Sequence, residues 1–247
     1  MRSSAIREGG IIAAGEGSRL KRDGFTIPKP MVPVAGVPLI ERVVTCFAQI
    51  GVTRLHIIFN EDGRPCAEFV RARFPNLDIQ CIVQPTRSSY ESFWEIGRRL
   101  GPGRALMSTV DWICPEPAFH RFVDQARHRS DASAVLAVTP FVADEKPLWV
   151  SLDPSGRVTS IGGPTGGVVT AGLYVLSGAI IAHAPHPSIL GRLRDFLAWL
   201  VARGDPVYGA VIDRVIDVDR AEDLRLAEAM ARGAAWTPRD ARSDASG

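Results

Sequence analysis

The first 111 residues alternate short apolar runs with stretches of helical periodicity, and that alternation constrains the fold more than any other feature. Residues 10–13 read as a short buried strand, and Leu39, Ile40, Val43, Val44, Phe47 and Ile50 recur at helical spacing before Gly51, a stop signal. The strand RLHIIF follows, then a helix over 66–74, the strand IQCIVQ, a helix over 90–100 and the strand RALMSTV, ending at Asp111. Parallel strands need long crossovers, which helices supply, so the pattern predicts an α/β fold: a Rossmann-like three-layer α/β/α sandwich.

The second half is less regular. ASAVLAV, PLWVSLD, GRVTSI and VVTAGLYVL are strand-like, with Pro154, Ser155 and Gly156 marking a hairpin. A helix is expected over 188–203, a strand pair at PVYGAVI and RVIDV, and a closing helix over 221–232. The sheet is therefore expected to be mixed but mainly parallel. No internal repeat or Pro/Ser-rich linker divides the chain, so residues 1–235 are expected to form one domain, with 236–247 as a tail.

At 247 residues and 46% hydrophobic content the chain can bury a large core. Its 29 basic and 27 acidic residues are mixed along the sequence, without the basic block that a nucleic-acid surface needs. Any affinity for anions must be local. Cys46, Cys66, Cys81 and Cys114 lack CxxC spacing and a nearby histidine, which argues against a zinc site or a disulfide framework. Charges and glycines interrupt every apolar run, so neither a signal peptide nor a membrane span is expected, and a cytoplasmic location follows.

The loop after the first strand supplies a local anion site. Gly15-Glu16-Gly17-Ser18-Arg19 can wrap backbone N–H groups around phosphate oxygens, because glycine permits close approach, and Arg19 and Lys29 add positive charge. The dinucleotide fingerprint fails at Leu20, and no Gly-Lys-Ser/Thr completes a Walker loop. A bare Gly-x-Gly also makes an ordinary turn.

The flanking residues narrow the choice. Ala13, Ala14, Gly15, Gly17, Ser18, Arg19 and Leu20, then Pro28, Lys29 and Pro30, then Pro38, Leu39 and Ile40, resemble the N-terminal signature of the nucleotidyltransferase superfamily typified by sugar-1-phosphate nucleotidyltransferases (NDP-sugar pyrophosphorylases). The resemblance implies a GT-A-like fold with a nucleotide-binding part over 8–115 and an acceptor-binding part over 116–235. It assigns Ala13, Ala14, Gly15, Gly17 and Ser18 to the nucleotide, Gln84 to the base, and Gly172 in VTAGLYVLS to the sugar. Asp111 and Asp217, with Asp219 as neighbour, would hold Mg²⁺.

The chemistry suits those residue types. An acceptor phosphate oxygen attacks the α-phosphorus of a nucleoside triphosphate and pyrophosphate leaves, so the enzyme's task is positioning and charge neutralisation. Mg²⁺ needs only one or two carboxylates beside phosphate oxygens. Arg19 would grip the triphosphate and the departing pyrophosphate, and Lys29 would contact phosphate oxygens near the reacting centre. The acceptor is already anionic and needs no general base. Taken singly, Asp219 reads as a helix cap, Asp223 as an exposed first-turn acid, and Lys21 and Arg22 as a solvated face.

The chain also departs from the family. Ser88-Ser89-Tyr90 stands where Gly-Thr-Ala is common, which puts a side chain at Ser89 against the nucleoside. The family's acceptor-binding lysine is expected after GRVTSI, where this chain has Gly162-Gly163-Pro164; Lys146, in a Glu-Lys-Pro on the other side of the hairpin, is either its substitute or a surface-loop residue. The expected activity is transfer of a nucleotidyl group to a sugar 1-phosphate, with oligomeric state open. A cytidylyltransferase acting on a phosphorylated alcohol such as phosphocholine, and a non-catalytic nucleotide-binding regulator, fit the same residues.

Overall fold

The computed structural model describes residues 5–142 and 147–233. β1 (Glu8–Ala13) is buried at five of its six positions, as a strand in mid-sheet must be. The glycine loop leads from it into the short helix α1 (Ser18–Arg22), and a small hairpin of β2 (Pro33–Val34) and β3 (Val37–Pro38) precedes α2 (Leu39–Gln49). Leu39, Ile40, Val43, Val44 and Phe47 of α2 are all buried, the inward face that the spacing predicts. β4 (Arg54–Phe59), α3 (Arg64–Arg73), β5 (Asp78–Val83), α4 (Ser89–Gly97) and β6 (Arg104–Thr109) complete two further crossovers. The four long strands run parallel in the order β6-β1-β4-β5.

The first half differs from expectation in two places. β6 stops at Thr109, so Asp111 lies in the link to β7 (Trp112–Ile113) and not in the long strand. The helix α5 (Glu116–His128) was not anticipated, although Ala118, Phe119, Phe122, Val123 and Ala126 keep helical spacing on a buried face. Pro115 and Pro117 suggest a loop, but proline is tolerated in a helix's first turn, where its missing N–H is not needed.

β8 (Ala134–Thr139) is buried at all six positions. β9 (Trp149–Leu152) and β10 (Val158–Ile161) form the expected hairpin, its turn tied by Asp153 Oδ1, which accepts from the N–H groups of Ser155 (2.8 Å) and Arg157 (3.0 Å). β11 (Val168–Ser177) lies antiparallel between β6 and β8, and its first residues also pair with β9. Then come α6 (Gly178–Ala182), α7 (Leu193–Ala202), β12 (Val207–Val211), β13 (Ile216–Asp217) and α8 (Ala221–Gly233). The helix expected from residue 188 starts at Leu193, where the Asp195 carboxylate accepts the Arg192 N–H at 2.8 Å.

The expected pairing of PVYGAVI with RVIDV is overturned. β12 runs parallel to β8, whose outer edge β11 leaves open, and β13 runs antiparallel to β7. The main sheet thus reads β12-β8-β11-β6-β1-β4-β5, with β9 and β10 joined to the start of β11, mixed and mainly parallel on one side.

Helices cover both faces. Phe47, Phe119 and Phe122 pack into one core, and Phe93, Ile96, Phe196 and Leu200 into the other. A third, smaller cluster joins Leu20, Val32, Val34 and Leu39 to Ile113, Ile216, Val218 and Ala227. It packs the segment after β1 against the segment before and within α8.

Candidate active site

The third cluster builds the site. Leu20 is 2% exposed, and its burial fixes the adjacent Arg19; Val32 and Val34 do the same for the segment that carries Lys29. On the opposite wall Ile216 and Val218 are buried and alternate with Asp217 and Asp219. Successive side chains of an extended chain point to opposite faces, so burying the two apolar residues turns both acids outward together. β13 pairs with β7, and Val218 N–H donates to the Asp111 carbonyl at 2.9 Å, which brings Asp111 beside them.

The resulting charges are paired. Arg19 donates to Asp219 Oδ2 at 2.6 Å. Lys29 Nζ donates to Asp111 Oδ2 at 2.6 Å and also to Asp219 Oδ1. Gly17 sits in the left-handed region at φ 61, and a Cβ there would lie 3.0 Å from the Lys29 Cβ, so glycine lets the lysine stem pass close to the loop. The Lys29 side chain is 8% exposed. Burial alone would lower its pKa, but the Asp111 and Asp219 carboxylates outweigh burial and raise it. Asp111 shows the mirror case: burial pushes its carboxyl up, while Lys29 and the Thr109 hydroxyl overcome that and hold it below the usual carboxylate range.

Two acids differ from their expected roles. Asp219 is not the cap of α8, because both its carboxylate oxygens are engaged by Arg19 and Lys29. Asp223 is not an exposed acid: it is 8% exposed, and its Oδ2 accepts from the N–H groups of Asp219 (3.0 Å) and Arg220 (2.8 Å). Asp23 completes the helix start, its Oδ2 accepting from Ala221 N–H at 2.9 Å. Lys21 pairs with Asp62 on the surface at 3.1 Å, as a solvated residue does.

Two cavities meet at this network. One, of about 560 Å³, is lined by Ala14, Gly15, Gly17, Ser18, Lys29 and the loop over 86–89. The other, of about 240 Å³, is lined by Thr139, Thr170, Gly172, Tyr174, Arg194 and Asp217. Arg19, Ser89, Thr109, Asp111 and Asp219 line both. Ala13 is buried at the end of β1, behind the first cavity. Gln84 lies just past β5 and lines neither cavity; Thr86, Arg87 and Ser88 line the first in its stead. Ser88 caps α4, accepting from Glu91 N–H at 3.1 Å, and the Ser89 hydroxyl accepts from Leu193 N–H at 3.3 Å, tying the start of α4 to that of α7. Lys146 lies outside the described residues, and Pro147 after it lines the smaller cavity.

Gly172 occupies a break in register between Thr170 and Tyr174, where β11 bulges beside Thr109. Thr109, Thr170, Tyr174 and Arg194 were not anticipated from sequence. Burial, and next Asp217, push the Tyr174 hydroxyl above its ordinary pKa. The signal for Thr109 and Tyr174 was their nearness in sequence, each two residues from a site residue.

The donor set fits Mg²⁺. Among the described residues no three metal-ligating side chains gather into a cage. Asp111 at the junction and Asp217 beside it offer hard oxygen donors, and Mg²⁺ is commonly held by one or two carboxylates plus phosphate oxygens and water.

A glycine loop with two cations after the first strand faces acids that follow β6 and β13, at the strand termini of an α/β sheet, the end at which such folds bind their ligands. The chain matches the MobA-like NTP transferase domain over residues 9–152 and belongs to that family. It is 30% identical over 239 residues to a bifunctional IPC transferase and DIPP synthase of Rubrobacter xylanophilus, covering 93% of this chain and 53% of that protein. It is 24% identical to a mannose-1-phosphate guanylyltransferase of Mycobacterium tuberculosis, covering 91% of this chain and 63% of the relative. The chain thus spans a little over half the length of these relatives. The solved inositol-1-phosphate CTP transferase from T. maritima shares the fold, with a TM-score of 0.79 at 20% identity, over 94% of this chain and 97% of that one. Among the described residues no helix is long and apolar enough to cross a membrane.

Proposed function

We propose that the protein transfers a nucleotidyl group from a nucleoside triphosphate to a small phosphorylated polyol, a sugar 1-phosphate being the leading case, with Mg²⁺ and release of pyrophosphate. The observation that carries this reading is the shared wall of the two cavities. Arg19, Ser89, Thr109, Asp111 and Asp219 face both, so two ligands would meet over them. The larger cavity, behind the glycine loop, suits the triphosphate. The smaller, at about 240 Å³ and with a largely hydroxyl and charged lining, suits a compact polar acceptor.

In the step itself an acceptor phosphate oxygen bonds to the α-phosphorus while the bond to the β-phosphate breaks, and no proton need move. Arg19 and Lys29 would neutralise the phosphates and hold the leaving pyrophosphate. Asp111 and Asp217 would hold Mg²⁺, which when bound withdraws charge from the phosphate oxygens. Arg194 makes no hydrogen bond or ion pair with another described residue, so its charge is available to the acceptor phosphate. Lys146 is the other candidate for that role.

A specific observation favours cytidylyl transfer to a phosphorylated cyclic alcohol as the second reading. The T. maritima structure that matches over 94% of this chain is named an inositol-1-phosphate CTP transferase. Pyrophosphate release separates the readings when each of ATP, CTP, GTP, UTP and dTTP is paired with glucose 1-phosphate, mannose 1-phosphate, inositol 1-phosphate and phosphocholine. Turnover with one pair, lost in EDTA and lowered by about a hundredfold or more in Asp111→Ala, is the expected result. No release with any pair, with Mg²⁺ present, would overturn both.

A further inference from the structure

Resting on that proposed function, we infer that Asp219 is a counter-anion that withholds Arg19 and Lys29 from metal-free phosphates and yields them to a metal-bound triphosphate. The geometry is a division of oxygens. Oδ2 of Asp219 accepts from Arg19 at 2.6 Å, and Oδ1 accepts from Lys29. The Lys29 ammonium is shared with Asp111 Oδ2 at 2.6 Å. Two cations and two carboxylates thereby cancel, around a lysine side chain only 8% exposed.

This arrangement sets what can enter. A bare phosphate that takes the donors now held by Asp219 would lie beside Asp219 and Asp111 without a cation of its own to offset their charge. A bare cation at Asp111 meets the Lys29 ammonium. A complex carrying both charges would bring its own compensation: its phosphates would take Arg19 and Lys29, and its cation would offset Asp111 and Asp217, with the displaced Asp219 beside them. Leaving wrong ligands with unpaired charges is a general route to selectivity. Asp219 is in this sense a specificity residue, and its place so close to α8 serves the ion pairs because Asp23 and Asp223 cap that helix.

Calorimetric titration of inorganic pyrophosphate into the full chain in EDTA tests the inference. Wild type is expected to bind weakly and Asp219→Asn at least about tenfold tighter, the low end of what displacing a charge-assisted hydrogen bond is worth. Asp219→Glu, which keeps the counter-charge, should behave as wild type, and Asp219→Ser is read like the asparagine variant should the latter not fold. Glu222→Gln controls for net charge: Glu222 lines the same smaller cavity, and its nearest cation is Arg220 at 4.0 Å. It should move the affinity less than about threefold. Equal gains in the Asp219 and Glu222 variants, or no gain at Asp219, overturn the inference. A parallel thermal-shift series on wild type, with Mg²⁺ and each of ATP, CTP, GTP, UTP and dTTP, separates the two failures. A shift there without a gain at Asp219 sinks the counter-anion role alone; no binding of any ligand by any variant sinks the proposed function with it.

Discussion

Gly172 holds a left-handed backbone, φ +69, and an added Cβ would stand 2.5 Å from Thr109 Oγ1. Gly172→Ala should therefore destabilise the protein by about 1–3 kcal/mol, combining backbone strain with a displaced threonine. Thermal melts of the single variants and of Gly172→Ala with Thr109→Ala would check this, because the second change removes the clash but not the strain. A coupling energy above about 0.5 kcal/mol is expected, and additivity would refute the contact. At this scale the sequence was legible where the chemistry is local. Gly15, Gly17, Arg19 and Lys29 sit within one short stretch, and their order survives in space. The role of Asp219 was hidden because its oxygens are claimed by Arg19, 200 positions away, and by Lys29, 190 away. The alternation Ile216-Asp217-Val218-Asp219 was the available clue that both acids share a face.

The start of α8 is capped from inside and outside at once. Both N–H groups that Asp223 accepts reach the same oxygen, Oδ2, so an asparagine carbonyl can take its place. Burial raises the Asp223 pKa above its ordinary value, with Asp219 and Glu222 adding repulsion against the two N–H groups that favour the charged form. Asp223→Asn is expected within about 0.5 kcal/mol of wild type at pH 7, whereas Asp223→Ala should lose about 1–2 kcal/mol. Urea unfolding of the two variants decides it; equal losses would remove the cap. Elements themselves were readable from periodicity: α2 and β4 follow their apolar spacing closely. Their partners were not. β12 and β13 lie near each other in sequence but pair with β8 and β7, since pairing depends on which edges earlier strands leave open.

Across the whole molecule, the Lys29–Asp111 pair sets a pH signature. Asp111 is held below the ordinary carboxylate range, so its contribution is present above about pH 4 and lost as pH falls through its folded value. Lys29 is raised, so its contribution is present below about pH 10 and lost as pH rises through its own folded value. Lys29→Met should cost about 1–3 kcal/mol at pH 7, since it leaves Asp111 buried without its cation. The sign then reverses for Asp111: its folded pKa rises above the unfolded value, and the penalty shrinks as pH falls toward about 4. Melting temperatures of wild type and Lys29→Met across pH 4–9 would reveal this, and a penalty independent of pH would contradict the pairing.

The cluster that joins Leu20 to Ile216, Val218 and Ala227 has a consequence for synthesis. A chain emerging from the ribosome carries Arg19 and Lys29 long before the acids that answer them, and the sheet around β1 can assemble well ahead of its charge balance. Until residues 217–227 arrive, Asp111 can already answer Lys29 but Asp219 has yet to reach either cation, so the half-built site is more positive than the finished one and more attractive to a polyanion nearby.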